Sequence, residues 1–306
     1  MKKLYWAVPA VLLLVLVAAF FLLPSQTVIF KKLTLPVSQD GMVKLLTTKE
    51  KWNQWWPGDQ QELIYDSTNF TFQQQLLKTV FLHVPYRDTL VQAQMNTILY
   101  KIDSSTVIFQ ASLPPATNPF ARFTNYLQGR KIAAAADNML KQLNAFAVKE
   151  ENIYGFSVSQ DKVKDTSFVA IRFTANGYPD PALVYVAVDE LRSYIRTSGA
   201  IEKGYPMLHA EPEGSGQYRV MVAIPVDRML SGSKKIEHKR MVLGNILVAE
   251  IRGGAHTLEK AMESFHQYIS DHKRKTPAIP FESLVTDRRQ EQDTAKWVTR
   301  LYYPVM

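Results

Sequence analysis

The stretch Pro280-Phe281-Glu282-Ser283-Leu284-Val285-Thr286-Asp287 places a carboxylate inside a run that otherwise reads as a β-strand. Side chains alternate across a strand, so Glu282, Leu284 and Thr286 share one face while Phe281, Ser283 and Val285 share the other. Two readings are open for Glu282: an outward-facing strand residue, or the charged end of a ligand pocket. In a partly dry pocket a carboxylate is unfavourable alone, and a bound cation offsets its desolvation. A second spacing with chemical meaning is Glu259, Glu263 and His266, at i, i+4 and i+7 of a helical run. It sets three potential metal ligands on one helix face. The apolar stripe uses the neighbouring positions, so that face reads as solvated and no metal is expected. His256 and His272 complete no ligand pattern, and Tyr154-Gly155 and Asn176-Gly177 read as turns. There is no Gly-x-Ser-x-Gly elbow, P-loop or dinucleotide fingerprint, so no cofactor is implied.

The chain of 306 residues has room for two domains, and its 46% hydrophobic and 21% charged content suits packed cores. It contains no cysteine, which excludes a disulfide framework, a thiolate zinc site and a cysteine nucleophile. The net charge is +8, with basic runs at Lys234-Lys235, His238-Lys239-Arg240 and Lys273-Arg274-Lys275. These read as a solvated face beside a bilayer. With no zinc-finger spacing and no helix-turn-helix, nucleic acid is disfavoured as a partner.

Behind Met1-Lys2-Lys3, the run from Leu4 to Leu23 carries no charge. As a helix it spans about 30 Å, one hydrocarbon core. Phe20-Phe21-Leu22-Leu23-Pro24 stands where a cleaved signal peptide would need small residues, so an uncleaved single-pass anchor is expected over residues 1–26. The short basic N-terminus favours its own side as cytoplasmic and the rest of the chain as outer, periplasmic in a bacterium, although Lys31 and Lys32 weaken the bias.

Residues 27–152 read as one domain. TVIFKKLTLPV is strand-like, with apolar Val28, Phe30 and Leu33. GMVKLLTTKEKWNQWW reads as a short helix stopped by Pro57-Gly58. ELIYDS, NFTFQQQLL, TLVQAQMNTILYKI and STVIFQASL are strand candidates. After Pro114-Pro115 a long helix is predicted, interrupted near Gly129, with Phe120, Phe123, Leu127, Ile132, Met139, Leu140, Leu143 and Phe146 as its apolar stripe. This order, with Trp52, Trp55, Trp56 and Pro57 at the first helix, resembles the START-like, polyketide-cyclase-like superfamily (SRPBCC). The resemblance implies a helix-grip fold with a hydrophobic pocket and no catalytic residue.

Residues 153–306 start a second pattern. DTSFVAIRFTA is a strand, and residues 181–198 form a helix with Ala182, Tyr185, Val186, Leu191, Tyr194 and Ile195 on its apolar face and Val188 off it. Gly199 stops that helix. GQYRVMVAIPV and MVLGNILVAEIRG are strands. HTLEKAMESFHQYISDHKRK is a helix with Leu258, Ala261, Met262, Phe265 and Ile269 on one side, and PFESLVT and WVTRLYYPV are the last strands. Each half thus reads strand, helix, strand, strand, a structural repeat. The ordered set Gly204-Tyr205-Pro206, VMVAIPV, RGGAHTLEKAMESFHQYI and FESLVTDRRQEQDTAKWVTRLYYPV resembles the gyrase-inhibitor-like, effector-binding domain of AraC-type and MerR-type regulators. Leu284 stands where that family usually has an aromatic, and Arg300 where an acid is common.

The resemblance implies that Glu282 lies in the cleft between the two repeats, facing cationic aromatic ligands. Tyr185, Tyr194, Trp297 and Tyr302 are the candidate walls, supplying stacking and cation–π attraction. The expected fold class is α+β: an N-terminal transmembrane helix, a helix-grip domain and a duplicated effector-binding domain. The expected function is that of a membrane-anchored binding protein that senses or sequesters hydrophobic, amphipathic or cationic aromatic small molecules without catalysis. Two alternatives stand beside it. One is hydrolysis of a small electrophile, with Glu282 and a tyrosine as general acid and base. The other is an interaction scaffold with vestigial pockets. No protein partner is named by the sequence.

Overall fold

The computed structural model describes residues 11, 13–15, 17, 22–56, 64–65, 68–87, 89–163 and 167–306. Most of the expected transmembrane helix, Pro57 of the tryptophan motif, and much of the ELIYDS strand candidate lie outside the described residues. Among the described residues, no helix is long and apolar enough to cross a membrane. The architecture is α+β, in two compact units, Met1–Lys149 and Glu150–Met306.

The first unit opens with β1 (Val28–Leu35), then α1 (Gln39–Thr47) and α2 (Lys49–Trp55). A small pairing of β2 (Ile64–Tyr65) with β3 (Thr68–Asn69) follows. The meander is β4 (Thr71–Leu76), β5 (Thr79–Tyr86), β6 (Thr89–Lys101) and β7 (Ser104–Ser112), and α3 (Pro119–Ala147) ends the unit. The five-stranded antiparallel sheet has the order β1-β7-β6-β5-β4.

Two local expectations change here and one stands. The first helix is two helices, because Thr48 turns the backbone into the extended region between them. The strand expected at the start forms as β1, where alternation buries Ile29 and Leu35 and leaves Val28 and Phe30 exposed, so this one stands. Helix α3 runs unbroken through Gly129. A Cβ at Gly129 would sit 2.7 Å from the Thr27 side chain, so this glycine serves close packing on β1 rather than a break. Only the later part of the predicted stripe is core. Ile132, Met139, Leu140 and Leu143 are buried, whereas Phe120, Phe123 and Leu127 are exposed. Trp52, Trp55 and Trp56 pack together in the core, with Trp56 edge-on to Phe70.

The second unit contains α4 (Glu150–Tyr154), β8 (Ser159–Lys162), β9 (Ser167–Asn176), α5 (Pro181–Thr197), β10 (Met207–Gly214) and β11 (Gln217–Val226). Then come β12 (Glu237–Arg240), β13 (Asn245–Arg252), α6 (Ala255–Asp271), β14 (Phe281–Leu284) and β15 (Val298–Val305). Strand, helix, strand, strand recurs as β9-α5-β10-β11 and β13-α6-β14-β15. The eight-stranded sheet has the order β12-β9-β11-β10-β14-β15-β13-β8, so the second copy runs in mirror order and β10 meets β14 at the centre.

Asp180 caps α5 by accepting from the Ala182 amide, Pro181 suits its first position, and Gly199 closes it at positive φ. Its buried face is Val184, Tyr185, Ala187, Val188, Leu191 and Ile195, a stripe in which each residue has a neighbour three or four places away. Val186, expected inward, is 66% exposed, and Val188, expected off the stripe, is fully buried. Beneath α5, Val169, Ile171, Leu208, Val220, Val222, Ile224 and Leu284 form the core. The alternate residues Phe168, Ala170, Met207 and Ala223 make a smaller cluster. On α6 the buried side is Leu258, Ala261, Phe265, Tyr268 and Ile269, with Met262 only half-buried.

Candidate functional site: an acid-lined cavity at the centre of the duplicated sheet

Strands β10 and β14 pair at only two positions, Met207 with Ser283 and Leu208 with Glu282. Where this pairing ends, a cavity of about 610 Å³ opens, within the ~300–1,000 Å³ typical of small-molecule sites. Tyr178, Tyr218, Phe281, Tyr303, Met262 and Leu301 supply apolar and aromatic surface. The face of α6 away from the core supplies His256, Glu259, Glu263 and His266. Among the described residues, four glutamates line the cavity, Glu211, Glu259, Glu263 and Glu282, and neither lysine nor arginine does.

Glu282 is 3% exposed. Its Oε1 accepts a short hydrogen bond from the Tyr178 hydroxyl. Its Oε2 is buried and has no hydrogen-bond partner among the described residues. The nearest cation is the Arg288 guanidinium, whose Nη2 lies 3.7 Å from Oε2, an ionic contact too long for a hydrogen bond. Burial pushes the Glu282 carboxyl above its ordinary range, and the Tyr178 hydrogen bond and the Arg288 charge only partly pull it back. Burial and the neighbouring carboxylate hold the proton firmly on Tyr178. The same two causes push Tyr303 up to about 12.

Glu282 therefore faces inward on its strand. None of Tyr185, Tyr194, Trp297 and Tyr302 lines this cavity. Tyr185 and Trp297 act behind it. The Tyr185 hydroxyl donates to the Thr286 carbonyl (3.1 Å) and accepts from the Arg288 amide (3.0 Å), fixing the turn after β14. The Arg288 guanidinium lies over the Trp297 ring, 5.1 Å from its centre, and donates to the Thr299 hydroxyl at 3.0 Å. Tyr194 donates to the Ser231 carbonyl, and Tyr302 stacks on Phe281 with ring centres 4.9 Å apart.

Sequence reasoning missed Tyr178, Tyr218 and Tyr303. Pairing of Glu282 with Leu301 puts Tyr303, two residues on, on the face of Glu282 and Tyr302 on the opposite one. Tyr178 follows the Asn176-Gly177 turn, where Gly177 takes positive φ, and its ring meets Tyr218 edge-on at 6.0 Å. Glu259, Glu263 and His266, expected to face only solvent, also rim the cavity. Among the described residues, no group of three or more His, Asp or Glu is arranged to hold a metal ion.

No protein-family model matches the chain, and no curated protein matches it. Solved structures resemble parts of it. The C-terminal domain of EcmrR is 15% identical over 49% of this chain and 98% of that one, with a TM-score of 0.43. SAV2435 bound to tetraphenylphosphonium is 19% identical over 49% of this chain and 94% of that one, at a TM-score of 0.33. The Zhui aromatase/cyclase from Streptomyces sp. R1128 is 9% identical over 40% of this chain and 96% of that one, at 0.28. At TM-scores below 0.5 these are partial likenesses and carry no residue role across.

Proposed function

We propose that the C-terminal unit is a non-catalytic small-molecule-binding module whose ligand joins a positive charge to an aromatic or apolar body. The observation that carries this reading is the buried, hydrogen-bond-free Oε2 of Glu282 in a cavity lined by acids and aromatic rings, with no lysine or arginine among the described residues of its walls. A ligand cation completes the coordination that Arg288 leaves unfinished, while the rings of Tyr178, Tyr218 and Tyr303 receive its body. Affinity for such ligands suits the effector-binding resemblance of the sequence, and tetraphenylphosphonium is the natural probe. It should raise the melting temperature of the full chain, since a ligand of the folded state stabilises it by mass action. Glu282→Gln should cost on the order of 2–5 kcal/mol of that binding. An undiminished shift in the variant would remove Glu282 from the site.

The Tyr178–Glu282 hydrogen bond favours a second reading, hydrolysis of a small electrophile, with the carboxylate as base towards water and the phenol as proton donor. Product formation that stops in Glu282→Gln and in Tyr178→Phe would replace the binding reading with this one.

Anchoring is proposed as well, with residues 4–23 in the membrane and both units on its outer side. Its support is the charge-free run itself, together with the exposed Phe120, Phe123 and Leu127 at the start of α3. That helix is fastened to the end of the run, because Arg122 donates to the Leu23 carbonyl at 3.3 Å. Release of the chain from the membrane fraction by high salt alone would contradict an apolar anchor.

A further inference from the structure

A second cavity, of about 350 Å³, lies on the opposite face of the eight-stranded sheet. Its floor is the set of side chains that alternate away from the helices: Phe168 on β9, Met207 on β10, Met221 on β11 and Phe281 on β14. Met241 and Ile279 help to close it. Three of the ten methionines of the chain are gathered here, and their flexible thioethers suit an apolar guest of variable shape.

The charge in its walls is of one sign. Arg172, Lys239 and Arg240 line it, and among the described residues no aspartate or glutamate does. Glu237, outside the lining, is the carboxylate that meets two of them, 3.0 Å from Lys239 and 4.0 Å from Arg172. Its carboxyl is held below the ordinary range, first by the Lys239 hydrogen bond, so it is ionised at neutral pH. One carboxylate shared by two cations leaves positive charge uncompensated beside an apolar floor. Both cations are partly exposed, so an anion can reach them from solvent without displacing core.

From this pairing of an apolar floor with a basic rim, the structure assigns a second ligand site, for a single-chain anionic amphiphile of the fatty-carboxylate class. The carboxylate meets Arg172 and Lys239 at the rim, and the chain lies among Met207, Met221 and Met241. Charge-assisted hydrogen bonds hold the head, and burial of methylenes holds the tail.

The methionines also supply the test. Met207, Met221 and Met241 line this cavity, and Met262 lines the acidic one. In the full chain carrying 13C-methyl methionine, with resonances assigned by single Met→Leu changes, decanoate should shift the first three saturably. Decyltrimethylammonium, with the same tail and the opposite head, should not. Replacing Arg172 and Lys239 together by alanine should weaken decanoate by about tenfold or more, the loss of two charged hydrogen bonds. The Met262 signal should stay in place as the check on folding. Should the double variant unfold, Lys239→Gln alone should weaken decanoate and spare Met262. Equal responses to both head groups would overturn the proposal in favour of an apolar surface that ignores charge. Silence at the three methionines, or a response at Met262 alone, would overturn it too. Tetraphenylphosphonium acting on Met262 tests the cation site separately, so either site can fail without the other.

Discussion

The two cavities of the C-terminal unit are separated by one layer of strands and share Leu208, His209 and Phe281 in their walls, yet their charges are opposite. Strand parity produces the difference. Glu282 falls on the helix side of β14 and its neighbour Phe281 on the other side, beside Tyr302. On β9, Val169 and Ile171 point to the α5 core while Phe168 and Arg172 face the basic cavity. A one-residue register slip would exchange the two sets. The shared His209 does not blur the contrast. Its Nδ1 must donate to the Pro280 carbonyl, 2.8 Å away, and burial depresses its pKa, so the common wall is uncharged at neutral pH. A thin sheet can thus present two chemistries, provided its register is held firmly on both sides.

The largest expected effect concerns what lies behind the acid cavity. Arg288→Leu removes the only cation touching Glu282 among the described residues and leaves a buried carboxylate uncompensated. Breaking such a pair typically costs about 3–5 kcal/mol. Denaturant unfolding should show a lower midpoint with an unchanged slope. The cation-induced stabilisation should grow in the variant, because the ligand becomes the carboxylate's sole counter-charge. A variant as stable as the parent would mean that Arg288 does not balance Glu282. In that case the contrast between the cavities would rest on the rim acids alone.

Next in size is the response to pH. The Glu282 carboxyl is raised in the empty cavity, so the folded state holds a proton through the interval in which an unfolded glutamate has already lost it. Over that interval the stability of the empty protein should fall as pH rises. A cation favours the ionised form, so its binding expels the proton. Affinity should climb with pH through the raised pKa, by at most about tenfold per unit, and then level off. Calorimetry in buffers of different ionisation enthalpy should detect the released proton. Among the described residues the basic cavity has no acid in its lining, so it holds no counterpart of the Glu282 proton. Decyl sulfate, with the tail of decyltrimethylammonium and a head that stays ionised throughout, should therefore bind there without that climb, and parallel profiles for it and the cation would undo the assignment of separate sites.

Much of this arrangement was legible in the sequence, and the unread part has a common cause. Periodicity located the two helices of the second unit, and alternation placed Glu282 with Leu284 on one face of a strand. The choice between Tyr302 and Tyr303 was not readable, because it depends on which residue of β15 lies opposite Glu282. The aromatic candidates on α5 lie outside this cavity for a related reason. Tyr185 lies on the right helix, but its hydroxyl reaches the turn at Thr286 and Arg288, so it supports the site from behind. Tyr178 had no local signal beyond an Asn-Gly turn, and only the folded course of the chain brings it to Glu282. The strand at Val28–Leu35 was legible, but its inner face was not, since apolar residues stand at both parities.

The smallest effect tests whether the acid cavity is selective through its floor or its rim. Glu259 is largely exposed on α6, with His256 as its neighbour at 3.8 Å. Charges in that setting contribute little to equilibrium binding, up to about 1 kcal/mol, and are screened by salt. Glu259→Gln should therefore weaken a cationic ligand by no more than about fivefold, mostly through a slower association rate at low ionic strength. Stopped-flow traces at two salt concentrations separate the cases. If the variant matched Glu282→Gln in its loss and kept that loss at high salt, the ligand's charge would sit at the rim. The buried carboxylate would then be a structural member of the Tyr178–Arg288 cluster. A small, salt-sensitive loss places the ligand charge at depth, where solvent screening is weak and one unfilled oxygen sets the preference.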